Sequence, residues 1–155
     1  MTKLNKDYSE WLSKNNDIDV SSITLGQLID TAASKYQDSE ALVYSNQPDV
    51  EEIRWTYKFL SDKSTRLARG FLLEGLKPGD TVGVWGPNHP EWILTEYALA
   101  KAGLKMVTLN PLYKEQELIF ALNTVEAKGL VHAEEIGGTK ATNLIQKIKP
   151  DEIYN

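Results

Sequence analysis

Three stretches of this chain hold residue types that could bind or transform a ligand: Gly86-Pro87-Asn88-His89-Pro90-Glu91-Trp92, Asn110-Pro111-Leu112-Tyr113-Lys114 and Gly137-Gly138-Thr139-Lys140. The first reads as the start of a helix, whose free N–H groups can hold an anion. His89 could act there as a general base, but no carboxylate at a fixed spacing is evident to orient it, as such constellations require. The plainer reading has Gly86 and Pro87 making a turn while Asn88 or His89 caps the helix. In the second stretch Asn before Pro is a turn pair, and Pro ends a strand by removing a donor. So stiff a corner could line a cofactor channel, or need no ligand at all. The third looks like the end of a phosphate loop, yet the G-x-x-x-x-G-K-[S/T] order is absent, since Ala133 stands five residues before Gly138. A flexible connection running into a helix is the simpler reading. The G-x-G-x-x-G fingerprint is missing too, with Gly83 and Gly86 the only glycines near their strand.

Composition excludes much other chemistry. There is no cysteine, hence no disulfide framework, thiolate zinc site or cysteine nucleophile. His89 and His132 lie far apart in the chain, which argues against a histidine metal cluster. Seventeen basic against 22 acidic residues give a net charge of −5, the wrong sign for a broad nucleic-acid surface. No apolar run approaches the ~18 residues of a transmembrane helix. The residues from Met1 to Asp7 are followed by no apolar segment, so no secretory signal is read. The expectation is a cytoplasmic globular chain of about one domain, since 155 residues suffice for a sizeable core.

The candidate loops need a scaffold, and the hydrophobic spacing supplies one. Residues 1–22 are polar apart from Trp11-Leu12 and read as an arm; the domain is expected over 23–155. Leu25, Leu28, Ile29, Ala32 and Tyr36 fall on one helix face, with Thr24 as N-cap. Ala41–Tyr44 and Ile53–Tyr57 read as a loose hairpin around the turn residues 45–49. A long helix is expected from about Lys58 to Leu73, burying Leu60, Leu67, Ala68, Phe71 and Leu72. Thr56 can cap it, but Phe59 completes no capping box. Lys77-Pro78-Gly79-Asp80 then turns the chain.

The rest alternates strand and helix. Strands are expected at 81–85, 105–109 and 129–132, parallel and adjacent. Helices are expected at 91–102 (apolar nearly all round, hence sandwiched), around Leu118, Ala121, Leu122 and Val125, and around Ala141, Leu144, Ile145 and Ile148. Glu152-Ile153-Tyr154 would begin a fourth strand. This is the pattern of an α/β fold: a parallel sheet in βαβ units, three layers deep, preceded by a helix and a hairpin. In such sheets ligands bind at the carboxyl ends of the strands, which is where all three loops lie. From the residues alone the reading stops at an α/β domain with no visible active site.

An ordered series of short motifs goes further. Arg54-Trp55-Thr56-Tyr57, Leu67-Ala68-Arg69-Gly70, Gly75-Leu76-Lys77-Pro78-Gly79-Asp80-Thr81-Val82, Pro87-Asn88-His89-Pro90-Glu91-Trp92, Ala100-Lys101-Ala102-Gly103, Leu109-Asn110-Pro111-Leu112-Tyr113, Glu117-Leu118 and Glu126-Ala127-Lys128 follow one another. The series, running from about Ile23 to Tyr154, resembles the N-terminal portion of the AMP-dependent synthetase and ligase family, the adenylate-forming enzymes. Its Trp85-Gly86-Pro87-Asn88 and Asn110-Pro111-Leu112-Tyr113 variants look most like the fatty-acyl-CoA synthetase branch, medium-chain types included.

The resemblance implies ATP, magnesium and coenzyme A as cofactors of the full-length enzyme and fatty acid and coenzyme A as its substrates, joined through an acyl-adenylate. It implies a place for this chain within a large N-terminal domain. The family's phosphate loop, adenine and ribose motifs, hinge and C-terminal lysine have no matching positions here. No catalytic or metal-ligating residue is therefore assigned, the chain alone is expected to be inactive, and it reads as a truncated stretch. Relatives bring the nucleotide end of coenzyme A past the corner matching Asn110 and Pro111, so these two are the implied cofactor contacts. A homo-oligomer, with Trp11 at or near the contact, is expected from exposed sheet edges and uncovered apolar faces. The alternative is a stand-alone partner-binding module without catalysis.

Overall fold

The computed structural model describes residues 22–45 and 52–148. The arm up to residue 21 with Trp11, most of the hairpin turn and the expected fourth strand lie outside them. Helix α1 (Leu25–Tyr36) starts where Thr24 can satisfy its free N–H groups. The Thr24 hydroxyl accepts from Gln27 N at 3.2 Å and the Gln27 side chain accepts from Thr24 N at 2.9 Å, a complete capping box. Gly26 lets α1 close on the third helix, for an added Cβ would stand 3.0 Å from Lys101 Cα. Of the apolar stripe only Ile29 is buried; Leu25, Leu28 and Tyr36 stay exposed.

Strands β1 (Glu40–Tyr44) and β2 (Ile53–Thr56) form the antiparallel hairpin, with Val43 opposite Arg54 and Tyr44 opposite Ile53. Helix α2 (Tyr57–Leu73) follows at once. Thr56 Oγ1 accepts from Phe59 N at 3.1 Å with no reciprocal bond, as a phenylalanine dictates. The inner face of α2 is Leu60, Ser61, Ser64 and Ala68. Leu72, expected among them, is exposed. It lies on the face of Ser61 three turns further on, beyond the point where α1 and α3 cover that face.

Strands β3 (Thr81–Trp85), β4 (Lys105–Leu109) and β5 (Ala127–His132) form the expected parallel sheet in the order β4-β3-β5, with Trp85 level with Leu109 and His132. β5 starts two residues before the expected run. Period-2 alternation splits the core in two. Val82 and Val84 pack with Ala68, Ala98, Leu99 and Ala102 of α2 and α3 (Pro90–Ala102). Trp85 and Leu109 pack with Leu118 and Leu122 of α4 (Glu115–Thr124). Gly83 points the second way, where a Cβ would meet Leu109 Cδ1 and Leu122 Cδ2 at 3.0 Å. The sheet is thus the middle of three layers.

Helix α3 is the most buried helix: five of its 13 residues are buried and only Glu91 is exposed. It ends in a Schellman turn, with Gly103 at φ 71°, Gly103 N donating to Ala100 O and Leu104 N to Leu99 O.

The last region differs from expectation. Gly137 (φ 57°) and Gly138 (φ 76°) form the two-residue turn of a small hairpin, β6 (Glu135–Ile136) and β7 (Thr139–Lys140), and only then does the short α5 (Ala141–Ile145) begin. Two successive residues at positive φ are what a tight hairpin turn requires, and glycine adopts them at no steric cost.

Candidate functional site

Trp85 ends the central strand and divides the carboxyl edge of the sheet into two clefts. The residue is 3% exposed, and its Nε1 donates to Asn110 O at 3.0 Å across to the end of β4. The larger cleft, between the ends of β3 and β5, measures about 510 Å³. Val84, Trp92, Thr95 and Val131 line its inner part, while the exposed carboxylates Glu91, Glu134 and Glu135 stand at its mouth. The smaller one, about 180 Å³, lies between the corner after β4 and the β6–β7 hairpin and is lined by Pro111, Tyr113, Lys114, Thr139, Lys140 and Leu144 among others.

The loop after β3 sets one wall of the larger cleft. His89 is the N-cap of α3, but its ring makes no capping bond, and Asn88 does not cap. Pro90 takes the first helical position, where its missing N–H costs nothing. The His89 ring instead pairs through Nδ1 with the Glu91 carboxylate and leans on Tyr44, ring centroids 5.1 Å apart. The orienting carboxylate that no spacing rule disclosed is therefore Glu91, two residues on. Both partners are about half exposed, so solvent screens the pair. Across the cleft His132 Nδ1 lies 2.9 Å from Ala133 O. A carbonyl only accepts, so Nδ1 carries the proton.

The corner after β4 is held by its own bonds. Asn110 O accepts from Trp85 Nε1 and from Tyr113 N at 3.0 Å, while Asn110 Oδ1 accepts from Leu112 N at 2.9 Å. Asn110 is thus a structural hinge pin, and of the expected pair only Pro111 lines the smaller cleft. Lys114 enters α4 with its N–H on Glu117 Oε2 at 2.8 Å. The β6–β7 hairpin brings Lys140 to the same cleft. Neither lysine makes an ion pair among the described residues.

A further polar cluster ties α1, α2 and α3 together and was not expected. Lys101 Nζ donates to Asp30 Oδ1 at 2.6 Å, Thr65 Oγ1 at 2.8 Å and Ser61 O at 3.0 Å, and Ser61 Oγ donates to Asp30 Oδ1 at 2.6 Å. The lysine side chain is 9% exposed. Partial burial opposes ionisation of Asp30, but the hydrogen bonds from Lys101 and Ser61, with the Lys101 charge, outweigh it and hold the carboxyl below its ordinary value. Asp30, Ser61 and Lys101 sit on three separate helices, so no local motif announces them.

The two clefts suit different ligands. Lys114 and Lys140 give the smaller cleft the charge to hold one phosphate of a nucleotide cofactor. Among the described residues the larger is lined by three carboxylates and no lysine or arginine, which does not fit triphosphate. Among the described residues no three His, Cys, Asp or Glu side chains are placed to hold a metal ion. The Gly137-Gly138 turn leads into a five-residue helix, too short for an anion site.

Comparison with known proteins agrees with this architecture. Residues 29–154 match the family model described as AMP-binding enzyme. The chain is 36% identical over 132 residues to the mitochondrial medium-chain acyl-CoA ligase ACSF2 of Bos taurus, covering 85% of this chain and 21% of the relative. It therefore spans about a fifth of the length of the curated relatives it matches. The N-terminal domain of FACL13 from Mycobacterium tuberculosis superposes with a TM-score of 0.69 at 22% identity, covering 80% of this chain and 29% of that one. The long-chain-fatty-acid-CoA ligase FadD1 of Archaeoglobus fulgidus does so with a TM-score of 0.65 at 21% identity, over 83% of this chain and 31% of the other. At such identities the two structures bear on the fold, and the fold they share is that of the N-terminal domain of acyl-CoA synthetases.

Proposed function

The chain belongs to the AMP-binding enzyme family, and on that premise we propose that residues 23–155 contribute an N-terminal subdomain, with 1–22 as its arm, to an ATP-dependent fatty-acid–CoA ligase acting through an acyl-adenylate. The observation that carries the reading is the 36% identity with a protein named a medium-chain acyl-CoA ligase. Coenzyme A supplies the thiol that accepts the acyl group. In this chain Lys114 and Lys140 would hold one of its phosphates, and Pro111 and Tyr113 would form the wall beside it. Asn110 keeps that wall in place through Trp85. The larger cleft, with its three carboxylates, does not fit ATP phosphates, so no step through ATP is assigned to it. The phosphate and magnesium ligands belong to other parts of the enzyme, and the 155 residues alone are inactive.

Calorimetry and a coupled assay test this division. Coenzyme A is expected to bind the chain, more weakly after Lys114→Ala, while octanoate, ATP, magnesium and coenzyme A yield no octanoyl-CoA. Product formation would overturn the division of labour, and absence of coenzyme A binding would overturn the role of the smaller cleft.

A second reading, a module that associates with copies of itself without catalysis, draws on Leu112 and Phe120, 74% and 73% exposed. Light scattering decides it, with self-association lost on Phe120→Ser the supporting result. We assign the chain to the cytoplasm; import into isolated mitochondria would overturn that. No described helix is long and apolar enough to cross a membrane.

A further inference from the structure

We propose that the larger cleft, between the carboxyl ends of β3 and β5, binds a small cationic amphiphile: an ammonium group carried on an apolar body. Thr95 points to a ligand there. Four helical hydroxyls in this structure satisfy themselves on the carbonyl four residues back: Thr31 on Gln27, Ser34 on Asp30, Thr65 on Ser61 and Thr124 on Phe120. That bond is the ordinary resting place of a helical serine or threonine. Thr95, in the middle of α3, has the same carbonyl within reach at Glu91 and does not use it. It is 3% exposed, it lines the cleft, and its hydroxyl makes no hydrogen bond among the described residues. Lining the cleft, that hydroxyl has only the cleft's water to bond to, so a ligand with a polar group there takes the water's place.

The surroundings say what such a ligand carries. Val84, Trp92 and Val131 offer apolar surface, and about 510 Å³ is room for a small organic molecule. Every polar group at the mouth accepts. Glu91, Glu134 and Glu135 are carboxylates, and His132, whose Nδ1 proton is committed to Ala133 O, has in its neutral form only the Nε2 lone pair to offer. His89 is already engaged by Glu91. Among the described residues no lysine or arginine lines the cleft, so carboxylates and phosphates, the groups borne by fatty acid, ATP and coenzyme A, are repelled. An ammonium is both attracted and hydrogen-bonded. The cleft is thus separate in chemistry from the anionic ligands of the proposed reaction.

Titration of the 155-residue chain with octylammonium, octanol and octanoate, followed by calorimetry and by the Trp92 indole signal in NMR, tests this. Octylammonium is expected to bind roughly tenfold tighter than octanol, with octanoate weakest, and added salt should narrow the gap. Thr95→Val should weaken octylammonium about fivefold, whereas Thr95→Ser, which keeps the hydroxyl, retains binding. Glu134→Gln with Glu135→Gln should remove the preference for octylammonium over octanol. Octanoate binding as well as octylammonium would overturn the proposal, and so would a folded Thr95→Val chain that binds octylammonium unchanged, or shifts that avoid Trp92.

Discussion

On one side of Trp85 the carboxyl edge of the sheet presents Glu91, Glu134 and Glu135; on the other it presents Lys114 and Lys140. The two clefts share a wall and a sheet, yet their lining side chains carry charges of opposite sign. The scaffold does not make this difference, because the strand register and the packing of Trp85 are common to both. It arises in the connecting loops, whose side chains the core does not constrain. The sheet supplies position and the loops supply chemistry, which is why membership of a family carries the fold further than it carries the role of any one residue.

Removing the shared wall is the severest way to break the comparison. Trp85→Ala deletes a nearly buried indole packed in the core with Leu109 and Leu118, and is expected to lower stability by about 3–5 kcal/mol. Trp85→Phe keeps most of the packing and loses the bond to Asn110 O, for about 1 kcal/mol. Urea unfolding reads both. If Trp85→Phe loosens only the smaller cleft, its coenzyme A binding falls while octylammonium binding holds, and the clefts are independent.

How much of this was legible in the sequence follows from how local each signal is. The alternation around Val82, Val84 and Trp85, the apolar α3 and the Thr24 cap are written in neighbouring residues, so the parallel sheet and its three layers could be read directly. The order with β3 in the centre could not, since nothing local says which strands pair. The Gly137-Gly138 turn was legible in principle: two glycines between Ile136 and Thr139 are a hairpin signal, obscured by the likeness to a phosphate loop. Asn110 and Pro111 were found by resemblance, but only the structure separates the residue that pins the corner from the one that lines the cleft. Thr95 and the Lys101 cluster had no signal. Their meaning rests on a bond not made and on three helices meeting.

The hairpin offers a gentler intervention. Gly138→Ala places a Cβ at φ 76° and is expected to cost about 1–2 kcal/mol of local stability. Because Lys140 follows it, coenzyme A binding should weaken while octylammonium binding does not. Hydrogen exchange across 135–140 together with calorimetry checks this. Lys114→Ala and Lys140→Ala, by contrast, should leave stability within about 0.5 kcal/mol, since both residues are exposed and make no ion pair among the described residues. Each should raise the coenzyme A dissociation constant a few-fold and flatten its salt dependence. Equal loss for phosphate-free pantetheine would show that the lysines do not act on charge.

The smallest expected effect sharpens the contrast between charges left open at the clefts and charges consumed by the fold. Lys101 between α1, α2 and α3 donates to Asp30, Ser61 and Thr65, and Asp30 is its counter-charge. The Asp30 carboxyl is held below its ordinary value in the folded chain, so the folded state binds its proton less readily than the unfolded one. The stabilisation this brings is fully present above the unfolded value, about 4, and is lost as pH falls through the lower, folded value. The side chain of Asp30 is 56% exposed, so solvent screens the effect and it stays small. Urea midpoints between about pH 2 and 6 should therefore fall slightly more steeply for the wild-type chain than for Asp30→Asn. That variant also leaves the buried lysine without its anion and should be the less stable of the two at neutral pH. Midpoint curves that run parallel through the acid range would show that Asp30 does not titrate with folding, and that Lys101 is held by Ser61 and Thr65 alone.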